Sequence, residues 1–347
     1  MNRKLRMGVI GLGIGMGHIK GYSLHPKAEV AAICDINRER LDAVAEEFDI
    51  PAKFTDAMEM FKEADLDGVS IATPNKFHAT FTIAAFKAGL HVLCEKPMAM
   101  NAVEAKKMIA ASKKVNKNLM INFSFRFSEP SYALKQQVDS GVLGDVYFGR
   151  TVWHRRRGMP GFGKWFSDKE MAGGGPLIDL GVHRLDLALW LMGYPEPLVV
   201  TGSTYNVIAR EKAIRERKKF TVEDLACGLV KFKNGATLII EASWAANIKE
   251  QEKMVTQLYG TKGGLVQKNI GGTYDMISEI YTEENGHLFT KMIDGSTLSV
   301  PTAREEFVNS ILENREPLAT GEEGLKVMKI LDGIYKSAET DREVRYQ

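Results

Sequence analysis

The chain has 347 residues, 44% of them hydrophobic and 26% charged, with a formal net charge of +2. That length exceeds one ordinary hydrophobic core and predicts two domains, while the interspersed charge gives no reason to expect a nucleic acid or an anionic membrane as partner. Three scattered cysteines, Cys34, Cys94 and Cys227, make neither a disulfide framework nor a zinc spacing, and no apolar run approaches the ~20 residues of a membrane span. The basic N-terminus leads straight into a glycine-rich turn and lacks the shape of a signal peptide, so a reduced, cytoplasmic protein is expected.

Residues 5–10 predict a strand. Gly11-Leu12-Gly13-Ile14-Gly15-Met16-Gly17-His18 follows, then a helix to Tyr22 and a second strand, 30–34, ending at Asp35. Strand, glycine turn, helix, strand and acid, in that order, describe a dinucleotide-binding unit. Gly11 permits the tight turn, Gly13 lets backbone approach a pyrophosphate, and the helix start at Ile14, Gly15 and Met16 offers N–H groups to the phosphates. The pattern departs from G-x-G-x-x-G because Met16 holds the third glycine position, so close helix–strand packing is expected of Gly17. His18 either approaches the phosphates or packs at the helix start. Asp35 should accept hydrogen bonds from a ribose 2′-OH, which favours NAD. Arg38 complicates this: it either holds the 2′-phosphate of NADP or is a solvated residue of the helix 38–48.

Alternation continues with a helix at 56–61, a strand at 67–72 and a helix at 76–88. The last carries Phe77, Phe81, Ala84, Ala85 and Ala88 at helical spacing and is closed by Gly89. A strand at 90–94, a helix at 102–115 and a strand at 119–123 complete a doubly wound parallel α/β sheet. Ligands bind outside the carboxyl ends of such strands. Two strand ends, Thr73-Pro74-Asn75 with the following His78, and Glu95-Lys96-Pro97, are therefore expected to line the cofactor crevice. Glu95 and Lys96 close an apolar run, where charges serve chemistry better than packing.

Residues 153–166 read as a loop rich in aromatics and cations. His154, Arg155 and Trp165 are candidate substrate contacts there, since aromatic faces suit sugar rings and guanidinium groups hold carboxylates or phosphates. The equal alternative is a strand end with its arginines in solvent. Arg126, at the domain junction, is a further candidate for the same cleft. After Gly173-Gly174-Gly175, Pro176 opens a helix that runs to Met192 and is closed by Gly193. Asp179 and His183 share one helix face, continued by Asp186 and Trp190, while Leu180, Leu187 and Leu191 form the apolar stripe. His183 reads either as a histidine satisfied by its helix neighbours or as a catalytic imidazole. The basic stretch 210–219 reads as a solvated insertion. Asn234-Gly235 between two strand-like runs predicts a hairpin. Helices at 303–313 and 322–340 close the chain, the second expected to pack back on the first domain.

In Gly11-Leu12-Gly13, Ala72-Thr73-Pro74-Asn75, Glu95-Lys96-Pro97, Gly173-Gly174-Gly175 with Asp179 and His183, and Tyr259-Gly260-Thr261-Lys262-Gly263, the chain resembles the Gfo/Idh/MocA family over essentially its whole length. That family includes glucose–fructose oxidoreductase and inositol 2-dehydrogenase. The resemblance implies an N-terminal Rossmann domain at 1–123 and a C-terminal α+β domain at 124–347. The second domain would carry a large, open, mainly antiparallel sheet used for substrate binding and for homodimer or homotetramer contacts. A cis Lys96–Pro97 bond is also implied. The implied reaction is NAD(P)-dependent oxidation of a secondary alcohol, or reduction of the ketone, in a sugar, polyol or sugar acid. No metal is needed, and the seven histidines show no ligand spacing.

Lys96, Asp179 and His183 would be catalytic. An imidazole, with an ordinary pKa of ~6.5, suits the acid/base role. A lysine, starting near ~10.4, suits hydrogen-bond donation to an alkoxide-like oxygen, and as a base it would have to drop by about two to three units. Asp179 would orient the imidazole or bind a second hydroxyl, and Glu95 would pair with Lys96 or hold the nicotinamide ribose. Two other readings share these motifs. One is an NAD-dependent glycoside hydrolase that oxidises its substrate transiently. The other is a non-catalytic nucleotide-sensing regulator, against which the joint presence of Lys96, Asp179 and His183 argues.

Overall fold

Short apolar runs alternating with capped helices build the first part of the molecule. The computed structural model describes residues 3–295 and 297–347. They divide into two units, Met1–Phe123 with Pro301–Leu325, and Ser124–Val300 with Lys326–Gln347.

The first unit runs β1 (Leu5–Ile10), α1 (Met16–Leu24), β2 (Ala28–Cys34), α2 (Arg38–Glu47), β3 (Ala52–Phe54), α3 (Ala57–Glu63), β4 (Gly68–Ile71), α4 (His78–Lys87), β5 (His91–Cys94), α5 (Ala102–Val115) and β6 (Leu119–Ile121). The six strands pair in parallel in the order β3-β2-β1-β4-β5-β6. Strand order reverses beside β1, so the binding crevice is expected beyond the carboxyl ends of β1 and β4. Every residue of β4 is buried, as a strand covered on both faces requires. Asn37, Asp56 and Asn101 cap α2, α3 and α5 through their side chains. The start of α1 has neither a side-chain cap nor an acid in its first turn.

The second unit begins with α6 (Glu129–Asp139), β7 (Val146–Arg155) and α7 (Lys169–Ala172). A π-helical segment, Leu177–Gly181, then runs into α8 (Val182–Leu191). Next come β8 (Pro197–Tyr205), α9 (Ile208–Glu216), β9 (Leu225–Phe232), β10 (Thr237–Ser243), β11 (Glu252–Gly260), β12 (Gly263–Asn269), β13 (Met276–Glu284) and β14 (His287–Ile293). The chain closes with α10 (Ala303–Leu312), α11 (Gly321–Thr340) and β15 (Val344–Arg345). Nine strands form one sheet, β14-β13-β12-β11-β7-β10-β9-β8-β15, antiparallel throughout except between β7 and β10. The Lys96–Pro97 bond is cis.

Packing decides which face carries the site. Leu180, Leu187 and Leu191 are buried as the stripe predicts. A Cβ on Gly181 would lie 3.2 Å from the Ala242 Cβ on β10, so the π-helical segment sits close on the sheet. One reading needs correction, that of the last helix, and two others are sharpened. Trp153 to Arg155 take the second of their two readings and end a strand, because they pair with β10 and β11. Within the basic stretch, 208–216 forms a helix with only Ala209 and Ala213 buried, in keeping with a solvated insertion. The helix at 322–340 groups with the first unit only up to Leu325. Beyond that, Ile334 packs against Gly202 and Gly228, and the Ser337 hydroxyl accepts from Gly202 N, on β8 and β9.

Candidate active site

The glycine turn after β1 fits a dinucleotide. Gly11 has φ +86°, and a Cβ there would lie 2.5 Å from the Ala72 carbonyl oxygen. A Cβ on Gly15 would lie 2.1 Å from the Gly11 oxygen and 2.9 Å from Val9 Cγ1, whereas one on Gly13 or Gly17 would meet no described atom within 4 Å. Close packing expected of Gly17 therefore falls on Gly15, and the open side of Gly13 is free for backbone to approach a phosphate. Ile14 is exposed and Met16 opens α1; no side chain caps this helix start, which leaves the positive end of its dipole uncompensated, as an anion would require.

Asp35 follows β2, largely buried. One oxygen accepts the Leu12 N–H at 2.8 Å and the other the Asn37 N–H at 2.8 Å. The carboxylate thus braces the glycine turn from behind, with acceptor capacity left for a ribose hydroxyl. The guanidinium beside it belongs to Arg40, at 3.2 Å, while Arg38 is exposed at the start of α2. The exposure of Arg38 agrees with the solvated of its two readings, and a helix start does not reveal in sequence that Arg40 is the side chain that turns back.

At the β4 end, Thr73 Oγ1 is buried with no protein partner among the described residues, which suits a crevice that takes a polar ligand. Pro74 is half-buried and Asn75 buried beside it. His78 departs from its expected cofactor role. It is fully buried, with Nδ1 at 2.7 Å from the Pro97 carbonyl and Nε2 at 2.9 Å from the Thr73 carbonyl. Burial lowers its pKa and keeps the ring neutral, so it donates to one of these carbonyls and sits wedged between the two strand-end loops. Glu95 is buried and Lys96 half-buried. Glu95 Oε1 accepts from Asn122 Nδ2 at 2.5 Å and meets His18 Nε2 at 2.8 Å, and Oε2 accepts the Lys96 N–H at 3.2 Å.

In the second unit, Asp179 lies on the π-helical segment and accepts from Trp244 Nε1 at 3.0 Å. His183 follows at the start of α8, its ring 5.3 Å from Phe125 and 5.7 Å from Trp153. A π-helical turn is wider than an α turn and recurs at functional sites. It changes the simple four-residue spacing on which the sequence reading relied. Trp153 and Trp244 belong to one buried cluster with Leu180, Val222 and Met254, against which Phe166 and Met159 pack. Trp165 stacks on Phe166 at 3.8 Å.

Arg155 lies over the Trp153 ring at 5.7 Å. Glu252 Oε1 accepts from both, at 2.9 Å from Arg155 Nε and 2.5 Å from Trp153 Nε1, while Arg155 Nη2 reaches Tyr274 OH at 2.9 Å. Burial works against the Arg155 cation, but Glu252, Tyr274 and Asp179 more than compensate and raise its pKa. Trp153, Trp244, Glu252 and Tyr274 were missed from sequence; only the aromatic run around Trp153 carried a signal.

Two candidate substrate contacts are displaced. Thr151 bonds the Arg184 carbonyl of α8 and Trp153 meets His183, so His154, the next residue in the alternation, points to the opposite sheet face. There it lies 3.7 Å from Glu241 and lines a recess with Thr201 and Cys227. Arg126 is 1% exposed. Its Nε and Nη2 donate to the two oxygens of buried Asp186 at 3.0 and 2.6 Å, and Tyr194 joins the pair. The guanidinium is spent inside the unit and does not face a substrate.

Residues 5–123 match the oxidoreductase family described by its NAD-binding Rossmann fold, and residues 132–266 match the GFO/IDH/MocA C-terminal domain. The chain belongs to the Gfo/Idh/MocA oxidoreductase family. This family member is 34% identical to the D-glucoside 3-dehydrogenase of Escherichia coli (strain K12), with 98% of this chain and 97% of the relative covered. It is 26% identical to the myo-inositol 2-dehydrogenase of Thermotoga maritima, with 99% of each covered. A solved aldose-aldose oxidoreductase from Caulobacter crescentus, complexed with glycerol, is similar at TM-score 0.82 and 28% identity, with 99% of this chain and 100% of that one covered. A levoglucosan dehydrogenase complexed with NADH and levoglucosan shares the fold at TM-score 0.86 and 24% identity, with 99% of each covered.

The Gfo/Idh/MocA assignment makes the chain an NAD-binding oxidoreductase, and the turn geometry, uncapped α1 and buried Thr73 hydroxyl fit that cofactor. Among the described residues no cluster of three or more His, Cys, Asp or Glu is arranged to hold a metal, and no helix is long and apolar enough to cross a membrane.

Proposed function

We propose that this family member oxidises a secondary alcohol of a sugar, polyol or sugar acid, or reduces the matching ketone, with Lys96, Asp179 and His183 as its catalytic residues. The observation that carries the reading is the Asp179 and His183 arrangement walled by Trp153 and Trp244, in a chain that also carries Lys96 at a Rossmann strand end. Relatives named for a glucoside and an inositol support a hydroxyl-rich substrate.

Bound NAD supplies the hydride acceptor. A hydride leaves an alcohol carbon cleanly only as the hydroxyl proton is removed, and His183 takes that proton. Lys96 donates a hydrogen bond to the oxygen as negative charge develops on it. Asp179, anchored by the Trp244 indole, orients the imidazole or accepts from a neighbouring hydroxyl. The Trp153 face packs against the sugar ring, and Arg155, held by Glu252 and Tyr274, donates to its distal hydroxyls or to a carboxylate. Gly11, Gly13, Ile14, Gly15 and Met16 seat the phosphates, Asp35 the adenosine ribose, and Thr73, Pro74, Asn75 and Glu95 the nicotinamide end. NAD is preferred over NADP because the Asp35 carboxylate repels a 2′-phosphate, although Arg40 stands close enough to soften that preference. The open sheet face around His154 and Glu241 would serve a homodimer or homotetramer, and a cytoplasmic location follows from the same reading.

A screen of inositols, aldoses, glycosides and uronates with both cofactors, followed at the reduced-nicotinamide absorbance band, tests the substrate class. Lys96→Ala and His183→Ala are each expected to lower turnover at least ~100-fold while NAD still binds. Wild-type-like turnover in either variant would remove that residue from the chemistry. Release of the glycosidic group without net NADH would instead assign a hydrolase.

A further inference from the structure

We propose that His18 is a positioning residue for Lys96: its imidazole holds the Glu95 carboxylate, and Glu95 in turn holds the lysine's strand end. The inference rests on the assignment of Lys96 to the chemistry. His18 lies in the first turns of α1 and is 1% exposed. Its Nδ1 is 2.9 Å from Ser70 Oγ on β4, and its Nε2 is 2.8 Å from Glu95 Oε1 at the end of β5. Tyr22 OH is 2.6 Å from the same Ser70 oxygen. Asn122, beyond β6, adds its amide to Glu95, and Lys96 adds its N–H.

These groups form one chain of consistent polarity. With the ring proton on Nε2, every link is satisfied by the Tyr22 phenol donating to Ser70, the Ser70 hydroxyl to the Nδ1 lone pair, and Nε2–H to the carboxylate. Burial raises the Tyr22 pKa, which keeps the phenol a donor. Burial also works to raise the Glu95 pKa, but His18, Asn122 and Lys96 overcome it and bring the carboxyl down to about 2. Packing alone would be served more cheaply by apolar side chains, since each buried polar group must recover its lost hydration. The network spans the ends of three adjacent strands, β4, β5 and β6, and starts from the helix that begins at the dinucleotide turn. It therefore ties the seat of the cofactor phosphates to Lys96 through buried polar contacts, with Asn122 Oδ1 alone in the network lacking a partner among the described residues.

The test uses the full-length protein with His18→Gln, His18→Asn and His18→Leu. Glutamine places an amide nitrogen where Nε2 stands; asparagine reaches only the Nδ1 position. In the Asn and Leu variants kcat is expected to fall roughly 10- to 100-fold with KM within about threefold, and His18→Gln to stay within about threefold of wild type. Lys96 labelling by an amine-reactive reagent, read by mass spectrometry, needs no substrate and should follow the same order. Wild-type turnover in all three variants, equal losses in all three, or Asn outperforming Gln would overturn the proposal. A folding failure of the Leu variant leaves the Gln and Asn comparison decisive. If the wild type oxidises no sugar, the dehydrogenase reading fails by itself, and the labelling order still decides whether His18 acts through Glu95.

Discussion

Arg126 carries the sharpest test of the structure against the sequence reading, because the two assign it opposite roles. Its guanidinium is bidentate on Asp186, both side chains are 1% exposed, and it lies 5.7 Å from the Trp190 ring and 5.1 Å from the Tyr194 ring. Arg126→Met removes the cation and leaves the Asp186 charge in a site that desolvates it. Breaking one side of a buried pair costs about 3–5 kcal/mol. In a unit of roughly 200 residues each kcal/mol moves the midpoint by ~2–4 °C, so the expected loss is ~6–20 °C. Arg126→Met with Asp186→Leu removes both charges and should recover at least ~2 kcal/mol of the single-variant loss, since an apolar replacement no longer strands an ion. Near-UV circular dichroism, which reads Trp190, and urea unfolding measure this, and steady-state kinetics are run beside them. A coupling below ~1 kcal/mol, or intact stability with a raised KM, would refute the structural role and return Arg126 to the substrate.

The glycine turn makes a paired prediction: Gly15→Ala, whose Cβ would meet backbone at 2.1 Å, should weaken NAD binding more than ~10-fold, while Gly17→Ala leaves it near wild type. Titration of nucleotide fluorescence checks the order, and a reversed order overturns the packing assignment. Asp35→Ala should weaken NAD far more than NADP in the same titration; equal losses would take Asp35 off the ribose. Glu95 has a pH signature. Its pKa is depressed from the ordinary 4.5 to about 2 by His18, Asn122 and Lys96 against the opposing effect of burial. Its contribution to stability is therefore full above pH 4.5 and is lost as pH falls through about 2. The melting-temperature difference between wild type and Glu95→Gln should shrink across that window, and a constant difference would mean that Glu95 is not held ionised.

Much of the site was legible because its signals are local. The Gly11 turn, the acid after β2 and the strand ends at Thr73 and Lys96 follow from chain order and from where parallel strands present their carboxyl ends. His154 was misread for a definable reason. Side chains alternate along a strand, so a role depends on register, and the end of β7 was hidden by a run that resembled a loop. His78 and Arg126 look like cleft residues in sequence because polarity near a motif is ambiguous until burial is known.

The sequence by itself determined the parallel α/β unit, the cofactor turn and the placement of Lys96, since periodicity, glycine spacing and strand–helix alternation act over a few residues. Tertiary structure alone decided the partners. Ser70 and Glu95 for His18, Asp186 for Arg126, Trp244 for Asp179 and Glu252 for Arg155 lie between 52 and 97 residues apart. A buried polar side chain takes its role from whichever group closes on it in three dimensions, and no local pattern encodes that closure.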